Sequence, residues 1–556
     1  MIDRREPGPS LTARFRALRR VGSLTYSDFT DVFADLYGDR TVFHLDRDLA
    51  FAGFDPRRVS YRDLHRGVAR IGRVLSDLGV APGDRVGVMA LNRVEAVFCN
   101  FGVARIGAVP IPMNFMLRPP ECQYVLDNAG ADVLIVDSTT LEQNFRGDLS
   151  QVPAARTVVI MDTDEVPPGA VGLPGRVAAA DESMPAHHRG DPAEVATIFY
   201  TSGTTGRPKG AALSDSATTV SLRRMGRVSA LGLSPPHQLA LLVMPVAHSG
   251  GYQNMLMYIA LGVPMQFVSR FSAVGILDTI ETDRPTFFVG SPAMYRMLED
   301  AGAASRDLSS IWLWGGGSDA FDATLVARFR RYARKRVLGG RVPVNAFFVR
   351  GYGMTEANSY VAVTPPFEVS EANEGETCIG WTLPGVSARV ADPETGEPVG
   401  RGEVGELWLR GVSMMSQYWA DPERSAETLV DGWYRTGDWV RRGKWGLLFF
   451  VDRAKDVIKT GGYKVGSAEI ETVLHEHPDV EHAAAVGVAH ATKGQIPVAA
   501  VTLVDGALAT AEDVLEWARE RLAPYKAPRR VHVLEHMPLT FSLKPKKEDV
   551  RRMIED

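Results

Sequence analysis

From about Tyr61 to Phe348 the chain alternates helical stretches with short β-rich runs, and this alternation constrains the fold more than any other feature. The stretch RDLHRGVARIGRVLSDLG has the apolar spacing of an amphipathic helix. A Pro-Gly turn and the strand RVGVMAL follow it. DVLIVD, TVVIM, VATIFY, LALLVMP, TFFVG, IWLWGG and AFFVRGY are further short apolar runs, the pattern of strands covered on both faces. The fold class expected is α/β, with largely parallel, buried strands. Several strands run straight into Gly- or hydroxyl-rich loops: TSGTTG after VATIFY, AHSGG after LALLVMP, GGGSD after IWLW and GYGMTE after AFFVR. Ligands of open α/β sheets sit beyond the carboxyl ends of strands, so these loops predict one shared cleft.

A chain of 556 residues exceeds one ordinary domain. After about Ser387 short β-like pieces (ARVAD, GELWLRG, LLFFVD) joined by turns predict a β-rich subdomain over 387–450. The boundary is placed at 451–455, which divides a large unit, 1–450, from a small α+β unit, 456–556. In the latter, AEDVLEWARERL reads as a helix capped by Thr510 with Asp513, burying Val514, Ala518 and Leu522 and stopped by Pro524.

Cys99, Cys122 and Cys378 lack metal or redox spacing, which predicts no disulfide framework and a reducing, cytoplasmic compartment. A net charge of −5 gives no general case for nucleic acid or anionic membrane. No apolar window reaches the roughly 18 residues of a membrane span, and the N-terminus lacks the apolar core of a secretion signal. The histidines of HEHPDVEH (His475, His477, His482) lack zincin spacing and read as solvated loop. RFRRYARKR (Arg328–Arg336) reads as an exposed helix face, with docking of an acidic carrier or of a CoA phosphate as the alternative.

YTSGTTGRPKG (Tyr200–Gly210) has the chemistry of a phosphate loop: glycines let backbone N–H groups converge, hydroxyls add donors and Lys209 adds charge. It is not a mononucleotide P-loop, because Pro208 precedes Lys209 and Gly210 follows it. The loop resembles the signature of the adenylate-forming superfamily, which includes acyl-CoA synthetases and coumarate-CoA ligases. The resemblance runs in order through VSYRDL, GVARIGAVPIPMN, PVAHSGG, GGGSD, GYGMTE, GELWLRG, YRTGD and VDRAKDVIKTGGYKV to the C-terminal lysines.

That resemblance implies a large N-terminal domain of α/β-layered sheets with a β-rich subdomain, followed by a small mobile domain. It also implies an acid–thiol ligase that joins a carboxylic acid to AMP and then passes the acyl group to CoA, with Mg²⁺ as cofactor and ATP and CoA as co-substrates. Thr201, Ser202, Gly203, Thr204, Thr205, Gly206 and Lys209 would hold the ATP phosphates. Glu356 would hold Mg²⁺, joined by Thr204, and Thr355 would reach the α-phosphate. Gly315, Gly316, Tyr352 and Gly353 would flank the nucleotide, Asp438 would accept the ribose hydroxyls and Arg453 would reinforce it. His248 would lie near the reacting carboxylate. Lys544, in PLTFSLK, matches the catalytic lysine of a mobile loop, although Leu543 replaces the usual glycine; the alternative is a solvated basic tail with Lys546 and Lys547. Lys455 matches the hinge, and Gly461 and Gly462 the loop beside the pantetheine tunnel.

The expected acid is a medium- or long-chain fatty acid, admitted between His248–Gln253, Gly315–Gly317 and Gly351–Met354, the consecutive glycines leaving room for the chain. An aryl acid, an acyl-carrier-protein acceptor and a catalytically silent nucleotide-binding relative remain the alternatives. The oligomeric state is left open, a dimer included. Asp215 stands where relatives often carry histidine, with no role assigned to it.

Overall fold

The apolar runs pair as parallel strands in two sheets. In one, Val109–Asn114, Arg85–Ala90, Val133–Val136, Thr157–Ile160 and Ala170–Gly172 lie side by side, every pair parallel. In the other, Thr41–Leu45, Met265–Phe267, Ala240–Leu242, Phe287–Gly290, Leu313–Gly316 and Phe347–Met354 form a parallel run. This computed structural model describes residues 8–21, 24–152, 154–181, 190–201, 208–231, 237–317, 321, 323–337, 342–365, 377–453, 456, 458–460, 463–490, 493–539 and 545–555.

The helix predicted after Ser60 spans Tyr61–Asp77, with Ser60 and Asp63 closing a capping box at its start. It packs on the Val94–Arg105 helix, which is buried at every position. Ser249–Leu261 is buried at every position but Gly250. A helix covered all round belongs inside a layered core rather than on its surface. Burying Val94–Arg105 brings charge inside with it. Arg93 therefore meets Glu95 at 3.0 Å and Asp162 at 2.5 Å, and despite burial these carboxylates hold its guanidinium firmly protonated.

Two expectations are corrected. Val195–Thr201 joins neither parallel sheet; it pairs antiparallel with Lys209–Ser214, whose other edge takes Gln417–Tyr418. The seven residues between Thr201 and Lys209 are too few for a parallel crossover, which needs a dozen or more. GYG of GYGMTE is likewise not loop but the end of the Phe347–Met354 strand, which turns through Thr355–Ala357 and returns antiparallel as Ser359–Val363.

From there the sheet continues antiparallel through Thr377–Thr382, Leu448–Arg453, Trp433–Arg442, Val404–Gly411 and Val386–Ala391. The last part of the chain builds a separate five-stranded sheet of Tyr463–Val465, Ile458–Thr460, Gly494–Leu503, Val480–His490 and Val531–Val533. Its helix Ala511–Arg521 carries the predicted Thr510–Asp513 capping box and buries Val514 and Ala518, with Leu522 buried just beyond it. The basic run is only partly helix: Ala323–Tyr332 ends within it, Phe329 is buried and Arg328 pairs with Glu299. Among the described residues no helix is long and apolar enough to cross a membrane.

Asp215 opens the Asp215–Leu231 helix and accepts a hydrogen bond from the backbone N–H of Tyr26 at 2.6 Å, tying the N-terminal segment to that helix. Burial first, then the charges of Asp28 and Glu194, push its carboxyl up to about 7. A carboxyl raised on folding favours the native state while protonated. That contribution is complete below the unfolded value near 3.8 and is lost as pH rises towards about 7. Asp215→Asn keeps an acceptor for Tyr26 and removes the loss. It should match the parent in urea unfolding near pH 4 and exceed it by about 1–3 kcal/mol at pH 8.

Candidate active site

The end of the Phe347–Met354 strand, the turn after it and the strands on either side assemble one cleft. Thr355 is buried and its hydroxyl lies 2.9 Å from that of Ser249, the first residue of the buried helix. His248 is the N-cap of that helix and is exposed. Its Nδ1 accepts from the Gly250 N–H at 3.1 Å, which leaves the proton of the neutral ring on Nε2.

Glu356, next along, is half-buried. Its Oε1 accepts from the Tyr418 hydroxyl at 2.9 Å and its backbone carbonyl from Met415 N–H at 2.7 Å. Tyr418 reaches it because Gln417–Tyr418 is paired to the edge of Lys209–Ser214. The same pairing sets the Lys209 ammonium 5.8 Å from the centroid of the Tyr418 ring. Tyr418 and Tyr434 stand 3.3 Å apart, hydroxyl to hydroxyl. Burial pushes both phenols far up, and the charge of Glu356 adds to it; Tyr434 also feels Asp438. These phenols therefore stay neutral donors along a wall that carries both carboxylates.

Asp438 is only 7% exposed. Its Oδ2 accepts from the Tyr352 hydroxyl at 2.6 Å, and the Arg453 Nε lies 3.5 Å from Oδ1. Strand register explains the second contact, because Asp438 and Arg453 face each other in the antiparallel pair of Trp433–Arg442 with Leu448–Arg453. Burial first, and Asp438 next, push the Tyr352 phenol far above its ordinary value. Tyr352 thus orients Asp438, a contact that sequence reading did not supply.

The glycines of these strand ends are sites of close packing. A Cβ on Gly316 would lie 2.3 Å from the Phe321 ring, and one on Gly315 2.9 Å from Val289 Cγ2, so both positions serve close packing. On Gly353 it would lie 2.2 Å from the Ser359 carbonyl, where the returning strand crosses. Thr201 pairs with Lys209 at the mouth of the hairpin. Ser202, Gly203, Thr204, Thr205, Gly206, Lys455, Gly461, Gly462, Leu543 and Lys544 lie outside the described residues.

Lys547 is no solvated tail. Its ammonium sits 2.8 Å from Glu471 Oε1 and donates to the Ser467 hydroxyl, and Glu471, Asp452 and Asp456 hold it protonated despite burial. Asp452 in turn accepts from the Ser467 N–H and hydroxyl. His475 and His477 serve local structure, through the Glu471 carbonyl and the Asp479 N–H. Tyr418 and Tyr434 are side chains of this cleft that the sequence left without a role. Tyr434 stood inside a quoted motif, whereas nothing around Tyr418 signals its place.

A divalent cation that meets polyphosphate needs only one or two protein carboxylates, the rest of its shell being phosphate and water. Among the described residues no group of three or more metal-ligating side chains occurs. Glu356, a carboxylate facing the hairpin that carries Lys209, fits that limited requirement.

Residues 32–419 match the family described as AMP-binding enzyme, and 469–544 match the AMP-binding enzyme C-terminal domain. A feruloyl-CoA synthase of Amycolatopsis sp. is 33% identical over 499 residues, 89% of this chain and 94% of that protein. An indoleacetate–CoA ligase of Aromatoleum aromaticum is 32% identical over 505 residues, 90% and 94% respectively. The crystal structure of ATP-bound MatB from Rhodopseudomonas palustris superposes with a TM-score of 0.80 at 26% identity, covering 95% of this chain and 99% of that one.

Tyr352→Phe removes the donor that orients Asp438 without altering its charge. Calorimetric titration with AMP should show affinity reduced about tenfold, the worth of one hydrogen bond to a charged group, with the melting temperature little changed. Unchanged affinity would separate Asp438 from the nucleotide.

Proposed function

The chain belongs to the AMP-binding enzyme family and is an AMP-forming acid–thiol ligase, and from that premise we propose that its cleft joins a carboxylic acid to AMP and passes the acyl group to CoA. What carries the reading is two neighbouring groups, Lys209 and Glu356 about Tyr418, and Asp438 with Tyr352 and Arg453, brought side by side by the Trp433–Arg442 strand that carries both Tyr434 and Asp438.

A carboxylate is a poor electrophile, since its charge repels nucleophiles and its leaving group would be oxide. In the first half-reaction its oxygen attacks the α-phosphorus of ATP and pyrophosphate departs. Lys209 and residues 201–206 neutralise the β- and γ-phosphates. Asp438, oriented by Tyr352 and Arg453, accepts the ribose hydroxyls, a good use of an ionised acceptor. Thr355 meets the α-phosphate beside His248. Mg²⁺, when held by Glu356 with Thr204, supplies charge neutralisation to the phosphates. Lys544 enters from the C-terminal domain as negative charge grows on the α-phosphate.

In the second half-reaction the CoA thiolate displaces AMP from the acyl carbon. The domain 456–556 turns about 451–455, with Lys455 absorbing the backbone change, so that Gly461 and Gly462 line the pantetheine path and Lys544 withdraws. An aromatic acid replaces the fatty acid expected from sequence as the proposed substrate. Support comes from the relatives whose names specify feruloyl and indoleacetate groups, at 33% and 32% identity.

ATP–pyrophosphate exchange over a panel of aryl and alkyl acids tests the first half-reaction, and mass detection of CoA or carrier thioester tests the second. Lys544→Ala should lower exchange by about a hundredfold or more while still converting supplied acyl-adenylate to thioester. Gly462→Phe should spare exchange and impair thioester formation. Equal loss of both half-reactions in each variant would overturn the two uses of the C-terminal domain, and absence of exchange with every acid would overturn the ligase reading.

A further inference from the structure

The consecutive glycines, expected to leave room for an acyl chain, face Val289, Phe321 and Tyr360. The ring of Tyr360 lies across the ends of two strands. A Cβ on Gly351 would be 2.2 Å from that ring, and one on Gly317 would be 3.1 Å from it. Behind the ring, Ser221 and Leu222, Gln253, Asn254 and Met257, and Ser359 close round a space that does not admit a water molecule.

The ring is held in place from both ends. On the backbone side, Asn358 is fully buried in the left-handed region at φ 53° and Ser359 stands at φ 127°. That reversal is fixed by Asn358 N–H to the Thr355 carbonyl, Asn358 Nδ2 to Thr218, Gln253 Nε2 to Asn358 Oδ1, and the Ser221 hydroxyl to the Asn358 carbonyl. At the far end, Asn254 donates to the Tyr360 hydroxyl at 3.4 Å and is itself held by the Gly250 carbonyl at 2.8 Å, Gly250 lying two residues after His248. Tyr360 thus spans the gap between the turn that carries Thr355 and the helix capped by His248.

Resting on the ligase reading above, we infer that Tyr360 is the wall that ends the acyl slot, so that this enzyme takes compact acids and excludes long alkyl chains. The acid's carboxylate lies by Thr355 and His248, and its body extends toward the glycine-lined strand ends until it meets the ring. A planar aryl acid can lie flat against the ring, whereas each added methylene of a linear chain must displace it.

The experiment measures ATP–pyrophosphate exchange by the full-length protein and by its Tyr360→Val and Tyr360→Phe variants. The acids are 3-phenylpropenoate and linear saturated acids from butanoate to dodecanoate, and thermal melts report folding. In the parent, kcat/KM should fall steeply along the linear series and stay high for the aryl acid. Tyr360→Val should raise the ratio of dodecanoate to aryl-acid kcat/KM by about tenfold or more, the scale on which a few methylenes are discriminated. Tyr360→Phe keeps the ring and should keep the parent's length profile. A parent that takes dodecanoate as readily as the aryl acid overturns the inference even where the valine variant does not fold. So does a folded valine variant whose length profile matches the parent's. Loss of exchange with every acid in the parent removes the ligase reading, and this inference with it.

Discussion

The chain reversal at Asn358–Ser359 is the constraint on which the cleft depends. Two non-glycine residues with positive φ cost free energy, on the order of 1–3 kcal/mol each, and persist only where surroundings over-determine them. Here Thr218, Ser221, Gln253 and Thr355 supply that determination through hydrogen bonds to a fully buried asparagine. Folding the chain back there sets Glu356 against Tyr418, Thr355 against Ser249 and Tyr360 across Gly351. The close approach of the returning strand is also what requires glycine at 353.

Around that turn the electrostatics follow one pattern. Glu356 and Asp438 each take a hydrogen bond from a phenol that burial keeps neutral, so each carboxylate is oriented by a fixed donor. Opposing cations are set by strand register rather than by loops: Arg453 opposite Asp438, and Lys209 at the start of a strand whose neighbour delivers Tyr418. In the proposed reaction, positions fixed by sheet pairing would hold a polyphosphate and a ribose in a defined relation, which is what in-line attack on phosphorus demands.

Much of this was legible in the chain and some was not, for identifiable reasons. Ser60 with Asp63 and Thr510 with Asp513 cap helices because capping is local, decided within four residues. The strands were legible because continuous apolar runs have few other homes. Their partners were not: Val195–Thr201 looks like its parallel neighbours, yet a short connection commits it to a hairpin. Tyr418 carries no local mark, since its role arises from pairing with Ala211, some two hundred residues earlier. The glycines at 315–317 were visible as glycines, but what lies against them is decided by Val289, Phe321 and Tyr360, none of which the spacing names.

Residue types and their order were enough to establish an α/β layered chain with a smaller unit after it, and to single out a loop and a set of carboxylates and cations whose chemistry suits a nucleotide. Periodicity, capping and side-chain chemistry are properties of short segments and survive without knowledge of the fold. Which of those groups meet, which phenols orient them and whether a slot is open or blocked were decided only by tertiary structure. Contacts such as Tyr352 with Asp438 and Tyr360 with Gly351 depend on register and on a strained turn, and both are properties of the packed sheet rather than of any segment within it.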